Sequence, residues 1–544
     1  MNSNLPPVWA FPPKVLRFLV IVLLVLGVFF RFVNIERKVY WFDETLTSLR
    51  ISGYTMSETV GQVCTGQEIG VKDLQKYQRL TPEKTLTDTI NSFVVENAQH
   101  PPLYYVLSRF WAQLFGSSVA VIRSLSAIIS LLVFPCIYWL CLELFESSFV
   151  GWVAVALIAV SPFHVLYAQE AREYSLWTVT ILLSSATLLR AMRVETKFSW
   201  LMYAISVALG LYTFLFSVLV TIAHGVYVFV IERFRFTQRV IAYLLASLLG
   251  FLAFTPWLVI VITNLGKVNE TTDWTSNKIP NLSLIKSWIV NLSYFFIDFN
   301  YDLRSVYNDS VLKLIVKFLI PVILILVGYS IYFLCRNTQQ RIWLFILILI
   351  GVTALPLAMP DLILGGVRSQ ASRYLIPTYL GIQLAVAYLL ATQIISTVNN
   401  QRQKLWQLVT VTLISAGVMS CAISSQAETW WLKALNIYTP QMVRIINQTA
   451  NPLLIVSCEG SSSIGHGMFL SHVLAPKVRL RLVNESNVAQ ISDNFSNSFS
   501  DVFLYNPDYN TISQVFLDKL ENQHKYKIEK NIYPENFALW KLSK

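Results

Sequence analysis

The sequence predicts an α-helical polytopic membrane protein of about eleven transmembrane helices, with a large first extracytoplasmic loop and a carboxyl-terminal extracytoplasmic α/β domain. Three observations carry that expectation. Of 544 residues, 55% are hydrophobic and only 13% charged, with a mean hydropathy of +0.53, and a water-soluble fold has no interior large enough for so much apolar surface. Runs close to the roughly 20 apolar residues that cross a bilayer as helix recur eleven times. Hydrophobicity then falls sharply after about Ser424, which gives the rest of the chain to water.

The runs lie at about 15–33, 119–142, 149–168, 174–192, 198–213, 215–231, 238–262, 309–335, 341–359, 372–396 and 404–424. The break between the fifth and sixth, near Tyr212-Thr213-Phe214, rests on length alone. Lys and Arg gather in cytoplasmic loops, and a cytoplasmic amino end puts Lys14, Arg17, Arg190, Arg193, Lys197, Arg233, Arg235, Arg239, Arg336, Arg341, Arg402 and Lys404 inside. The short outside loops carry only Arg172, Arg368 and Arg373. The inside loop Glu143–Ser148 has no cation and is a mild exception. Gly27–Val33 offers no small-residue cleavage site, so the first run is read as a retained span in the cell (inner) membrane. The net charge of +11 sits mainly at span ends, where it sets topology and meets anionic lipid rather than nucleic acid.

An odd number of spans leaves 34–118, 263–308 and the carboxyl region outside. The first loop is far longer than a connection needs. It holds a short helix at Glu44–Ile51 and a second at Pro101–Phe115, where Leu103, Leu107, Phe110 and Leu114 form a stripe beside Tyr104, Tyr105 and Trp111, as in a helix lying flat at the interface. Polar residues Gly61–Gln99 cover the outer surface. A boundary near 429 separates a membrane domain, 1–429, from residues 430–544. There, short runs at Leu453–Val456, Val478–Val483 and Asp501–Tyr505 alternate with helices at Thr439–Asn447 and Thr511–Asn522, the rhythm of a small α/β domain. Gly460, Gly465 and Gly467 fall in a Ser-rich turn without the spacing of a nucleotide loop. Of six cysteines only Cys64 and Cys458 lie clearly outside, so at most one disulfide is expected.

Three groups could do chemistry. Trp41-Phe42-Asp43-Glu44 sets two carboxylates at the mouth of a helix, where Asp43 serves either as its cap, with Glu44 in the first turn, or as a general base at the membrane surface. Tyr167-Ala168-Gln169-Glu170-Ala171-Arg172-Glu173-Tyr174 packs charge into an outside turn too short to leave the membrane. Arg368 and Ser372-Arg373-Tyr374 add cations on the same side, and planar guanidinium forks suit a lipid phosphate as well as an interfacial anchor. His100-Pro101-Pro102 opens the flat helix. Asp298, Asp302 and Asp309 are read as a solvated loop, and no histidine pair has zinc spacing. Carboxylates and arginines at the outer face suit a donor carried on polyprenyl phosphate. That phosphate leaves as an anion and needs electrostatic stabilisation more than an acid, while a carboxylate deprotonates the acceptor hydroxyl for inverting displacement.

With those residues in view, Trp41-Phe42-Asp43-Glu44, His100-Pro101-Pro102-Leu103, Tyr167–Tyr174 and Ser372-Arg373-Tyr374-Leu375-Ile376-Pro377 resemble glycosyltransferase family 39 of the GT-C superfamily over roughly residues 12–425. That group includes protein O-mannosyltransferases and lipid A aminoarabinose transferases. The resemblance implies a GT-C membrane glycosyltransferase with a catalytic first loop, a polyprenyl-phosphate-linked sugar as donor, and a lipid, glycan or protein acceptor. It raises Asp43 to base, with Glu44 and Glu170 as partners, Arg172, Arg373, Arg368 and Tyr374 on the donor phosphate, and His100, Gln169 and Tyr167 at donor or acceptor. The lipid A branch often has Lys where His100 stands. Parts of the superfamily use a divalent metal, Mg or Mn, for which Asp43 and Glu170 are the candidate ligands here. Two rivals remain: a transporter or lipid flippase, against which stand spans nearly free of charge at mid-depth and without repeats, and a scaffold that presents the carboxyl domain.

Overall fold

The computed structural model describes residues 14–300, 310–395, 400–458, 461–484, 499–506, 527–529 and 539–543. Two compact units emerge, one of residues 1–35, 97–104 and 123–426, the other of residues 36–96, 105–122 and 427–544. Most of the first loop, residues 36–96 and 105–122, falls in one unit with the carboxyl region. The expected helix Thr511–Asn522 and residues Asp302 and Asp309 lie outside the described residues.

In the first unit, each of the eleven apolar runs is helical. Among the described residues seven helices are long and apolar enough to cross a membrane, or eight if the pair Ser148–Ala159 and Pro162–Ala168, bent by 62°, counts as one span. The fifth and sixth runs form shorter helices, Lys197–Thr213 and Ser217–Ile231. The chain is a multi-pass membrane protein.

The bend has a chemical cause and a chemical remedy. Pro162 has no N–H to offer Ile158, so carbonyls near the break lose helical partners. Arg31 supplies them, donating from Nη1 to the Ala159 oxygen at 2.9 Å and from Nη2 to that of Ile158 at 3.3 Å, while its Nε reaches Ser130 at 3.0 Å. A side chain at Gly27 would strike Ala159, so the glycine lets the first helix approach this closely. Gln169 adds a second tie, its amide donating to the carbonyls of Phe30 and Val33 at 2.9 Å each, groups that helix Lys14–Phe32 leaves open at its end.

At the other end of helix Tyr174–Val194, the cation-free loop proves to be a counter-charge. Glu143 binds Arg193 Nε at 2.8 Å and Glu146 binds Arg341 at 2.5 Å, so three loops that share one side in the predicted topology meet at one end. Asp298, expected in a solvated loop, is buried, its carboxylate turned back onto the Asn300 N–H at 2.9 Å.

The second unit is built on six strands: β1 (Glu68–Gly70), β2 (Pro452–Ser457), β3 (Arg479–Val483), β4 (Asp501–Tyr505), β5 (Lys527–Glu529) and β6 (Leu539–Ser543). Their order is β1-β3-β2-β4-β6-β5, with β2 parallel to β3 and β4 and the other pairings antiparallel. Every residue of β2 is buried, as befits a central parallel strand. β1 comes from the first loop, which is why loop and carboxyl region fold together. Leu49, Val63 and Leu74 of the loop share one core with Ile446, Leu454, Val456 and Leu480. Gln75 and Gln78 donate to the carbonyls of Ser471 and Met468 at 2.6 and 3.1 Å, and a Cys64–Cys458 disulfide joins the two segments.

Gly465 and Gly467 lie in a helix, Ser461–Leu470, rather than in a turn. A side chain at Gly465 would run into the Phe42 ring and one at Gly467 would press on Val456, so the helix accepts the cost of glycine for close packing. Within the loop, Glu96 takes the N–H groups of Met56 and Ser57 at 2.8 and 2.9 Å and pairs with Arg50, closing the start of helix Met56–Val63. Helix Leu103–Phe115 exposes Leu107, Phe110, Leu114 and Phe115, the outward apolar stripe expected of an interfacial helix.

Replacing both Cys64 and Cys458 with serine should destabilise this second unit by about 2–4 kcal/mol, seen as a lower thermal midpoint and faster protease cleavage within residues 61–99. Unchanged cleavage would show that the sheet and core hold the loop without the bond.

Candidate functional site

The turn 169–173 joins helix Pro162–Ala168 to helix Tyr174–Val194, and Gln169, Glu170, Arg172 and Glu173 are all buried. Glu173 stands at the N-cap position of the second helix. Its carboxylate lies at ion-pair distance from Arg172 Nε, 3.3 Å, and at 3.1 Å from His100 Nδ1, and His100 Nε2 lies 3.4 Å from Arg172 Nη2. One tautomer serves both contacts: Nδ1–H donates to Glu173 while Nε2 accepts from Arg172. Burial alone would raise the Glu173 carboxyl, but the Arg172 guanidinium and then His100 outweigh it and hold the group down at about 2. Glu173, which sequence reasoning passed over in favour of Glu170, is therefore the anion that fixes Arg172 and His100.

Arg373 arrives from the turn Ser372–Leu375 that opens helix Ile376–Ile395. Its guanidinium carbon lies 6.0 Å from the Tyr174 ring centre, 5.7 Å from Trp274 and 5.3 Å from Tyr374. Arg172 lies 5.9 Å from the same Tyr174 ring. Arg373, some two hundred residues from Arg172 and Tyr174 in sequence, thus joins Arg172 at one aromatic ring, a contact each guanidinium finds favourable. Tyr374 also packs on Phe216 at 5.2 Å.

Other expected residues have different tasks. Arg368 Nη1 binds the fully buried Asp361 at 3.1 Å, and Asp361 also accepts from the N–H and hydroxyl of Ser369 at 2.7 Å each. This locks the turn after helix Gln340–Ile363. Gln169 is committed to the first helix as described. Tyr167 is buried, with the Phe163 and Tyr174 rings against it. Glu170 is buried in the same turn.

In the second unit, helix Phe42–Ile51 has Trp41 at its N-cap position with no side-chain cap bond. Asp43 is half-buried in the first turn and is not the cap. Glu44 is fully buried, paired with Lys433 at 2.6 Å. Successive helical residues point about 100° apart, so this acidic pair divides: Glu44 faces inward to a counter-ion and Asp43 is the more accessible carboxylate. Lys433 gave no sequence signal, being a single cation in a mixed segment. Among the described residues no three His, Cys, Asp or Glu side chains gather as a metal site; the two candidate ligands, Asp43 and Glu170, belong to different units.

A model of the dolichyl-phosphate-mannose-protein mannosyltransferase family matches residues 99–260, the stretch that holds His100, the outer turn and Tyr174. The ArnT structure from Cupriavidus metallidurans in the apo state is similar across 97% of this chain and 98% of its own, at 12% identity and a TM-score of 0.51. The chain shares the fold of that structure. The Archaeoglobus fulgidus oligosaccharyltransferase tethered to an acceptor peptide is similar over 98% of the present chain and 74% of its own, at 11% identity and a TM-score of 0.50. A comparison with curated proteins finds no match. The family match leaves Asp43 and Arg373 outside, so their roles rest on position alone.

Because the folded Glu173 carboxyl sits near 2, below its ordinary 4.5, its contribution to stability is complete above pH 4.5 and disappears as pH falls from 4.5 towards 2. Thermal midpoints of wild type and Glu173→Gln in detergent should differ most above pH 5 and converge towards pH 2. A gap that stays constant with pH would contradict the assigned pairing.

Proposed function

We propose that this chain is a GT-C glycosyltransferase, transferring a sugar from a polyprenyl-phosphate donor to an acceptor on the extracytoplasmic side of the cell (inner) membrane. The observation that carries the reading is the convergence of Arg172 and Arg373 on Tyr174, within a fold shared with ArnT and beside a segment matched to enzymes named for dolichyl-phosphate-mannose. Two guanidinium groups held near one ring repel each other, and a phosphate between them would relieve that repulsion while accepting their planar forks.

In this reading the acceptor hydroxyl loses its proton to Asp43 as its oxygen attacks the anomeric carbon. The bond from that carbon to the phosphate oxygen breaks, the configuration inverts, and polyprenyl phosphate departs as an anion stabilised by Arg172 and Arg373. Glu173 and His100 hold Arg172 in place. Glu44 acts through packing, and Tyr374 through its contact with Arg373. The acceptor is a lipid, glycan or protein. An odd number of spans with a cytoplasmic amino end would put Asp43, the turn 169–173 and the carboxyl region outside, an orientation supported by the distribution of Lys and Arg.

Transfer from a panel of polyprenyl-phosphate sugars in proteoliposomes tests the base. Asp43→Asn should lower kcat by about a hundredfold or more while leaving the donor KM near wild type, whereas wild-type turnover in that variant would overturn the assignment. Counterflow of substrate without covalent product would favour a transporter instead.

A further inference from the structure

The short helix that carries Asp43 begins without any cap of its own, although the first four N–H groups of a helix need partners from elsewhere. One of them, that of Phe42, is met from a segment nearly four hundred residues away, by Asn436 Oδ1 at 3.3 Å. The same segment holds the flanking residues: the Glu428 carbonyl accepts the Val39 N–H at 2.8 Å, and Lys433 Nζ meets the Glu44 carboxylate at 2.6 Å. Lys433 also lies 5.4 Å from the Trp41 ring centre. These contacts bracket residues 39–44, so the direction in which the chain enters helix Phe42–Ile51 is set by residues 428–436.

We infer that this segment is a cradle that aims the Asp43 carboxylate, with Lys433 and Asn436 as positioning residues; the inference rests on the glycosyltransferase reading. A buried ion pair adds little stability over apolar groups of the same shape, but it fixes geometry, since ammonium and carboxylate must meet at hydrogen-bond distance and each is costly to bury alone. The Asn436 bond fixes the first helical amide in the same way that a local cap would. Glu44 and Phe42 flank Asp43 directly, so a shift of either moves the base. Misplacement of a reacting group by about 1 Å can cost about a hundredfold in rate. The carboxyl region thereby gains a task in the reaction without touching substrate.

Three variants separate aiming from folding: Asn436→Ala, Lys433→Arg, and the neutral pair Glu44→Gln with Lys433→Met, which leaves no buried charge unpaired. Each is assayed for kcat and donor KM, and for amide hydrogen exchange. The cradle predicts a fall in kcat of about tenfold to a hundredfold for Asn436→Ala and for the neutral pair, with donor KM within about twofold, and faster exchange confined to residues 42–51 while β2 and β4 keep wild-type protection. Lys433→Arg, which retains the charge, should recover part of the rate. Wild-type kcat and exchange in the neutral pair and Asn436→Ala would overturn the inference, as would a loss of rate that only tracks loss of folded protein. A wild-type chain without transfer would overturn the functional reading alone, and exchange would then decide whether the cradle holds the helix.

Discussion

An ionised side chain taken out of water costs several kcal/mol unless a counter-ion and hydrogen bonds go with it, and the places where this chain meets that cost mark out its architecture. Glu173 is buried with Arg172 and His100, Asp361 with Arg368, Glu44 with Lys433, Glu96 with Arg50. Arg31 is buried on carbonyls that a proline has freed. Each pairing fixes a joint between elements that apolar packing alone would let slide, because dispersion has no direction and an ion pair does.

Two such joints bear on chemistry. Glu173 determines where the Arg172 guanidinium stands, and through the shared Tyr174 ring its relation to Arg373. In the other unit, Lys433 and Asn436 determine where helix Phe42–Ile51 begins. The proposed cations and the proposed base thus have separate supports, one in a helical membrane unit and one in an α/β unit stitched by β1, a shared core and a disulfide.

Much of the helical architecture was legible because a bilayer demands long apolar runs, and length and composition record that demand directly. The strands at 452–457, 479–483 and 501–505 were legible for a similar reason, as short β-branched runs. What escaped depends on distant partners. Nothing local distinguishes Glu44 as inward and Asp43 as outward until Lys433 is placed, and the cap reading of Asp43 failed because Asn436 supplies the bond. Gly465 and Gly467 read as a turn on propensity, yet they lie in a helix, where Gly465 leaves room for the Phe42 ring. The partner of Arg368 escaped too, since Asp361, seven residues earlier, lies in an apolar run where a carboxylate draws little notice. Arg31 was hidden in the same way, at the end of the first span.

The most direct test of the central claim, that Arg172 and Arg373 together hold a lipid phosphate, is native mass spectrometry of the purified chain released from nanodiscs containing polyprenyl phosphate. One bound polyprenyl phosphate per wild-type chain, lost in Arg172→Ala with Arg373→Ala and kept in Arg444→Ala, is the predicted outcome. Equal retention of the lipid in all three proteins would contradict it.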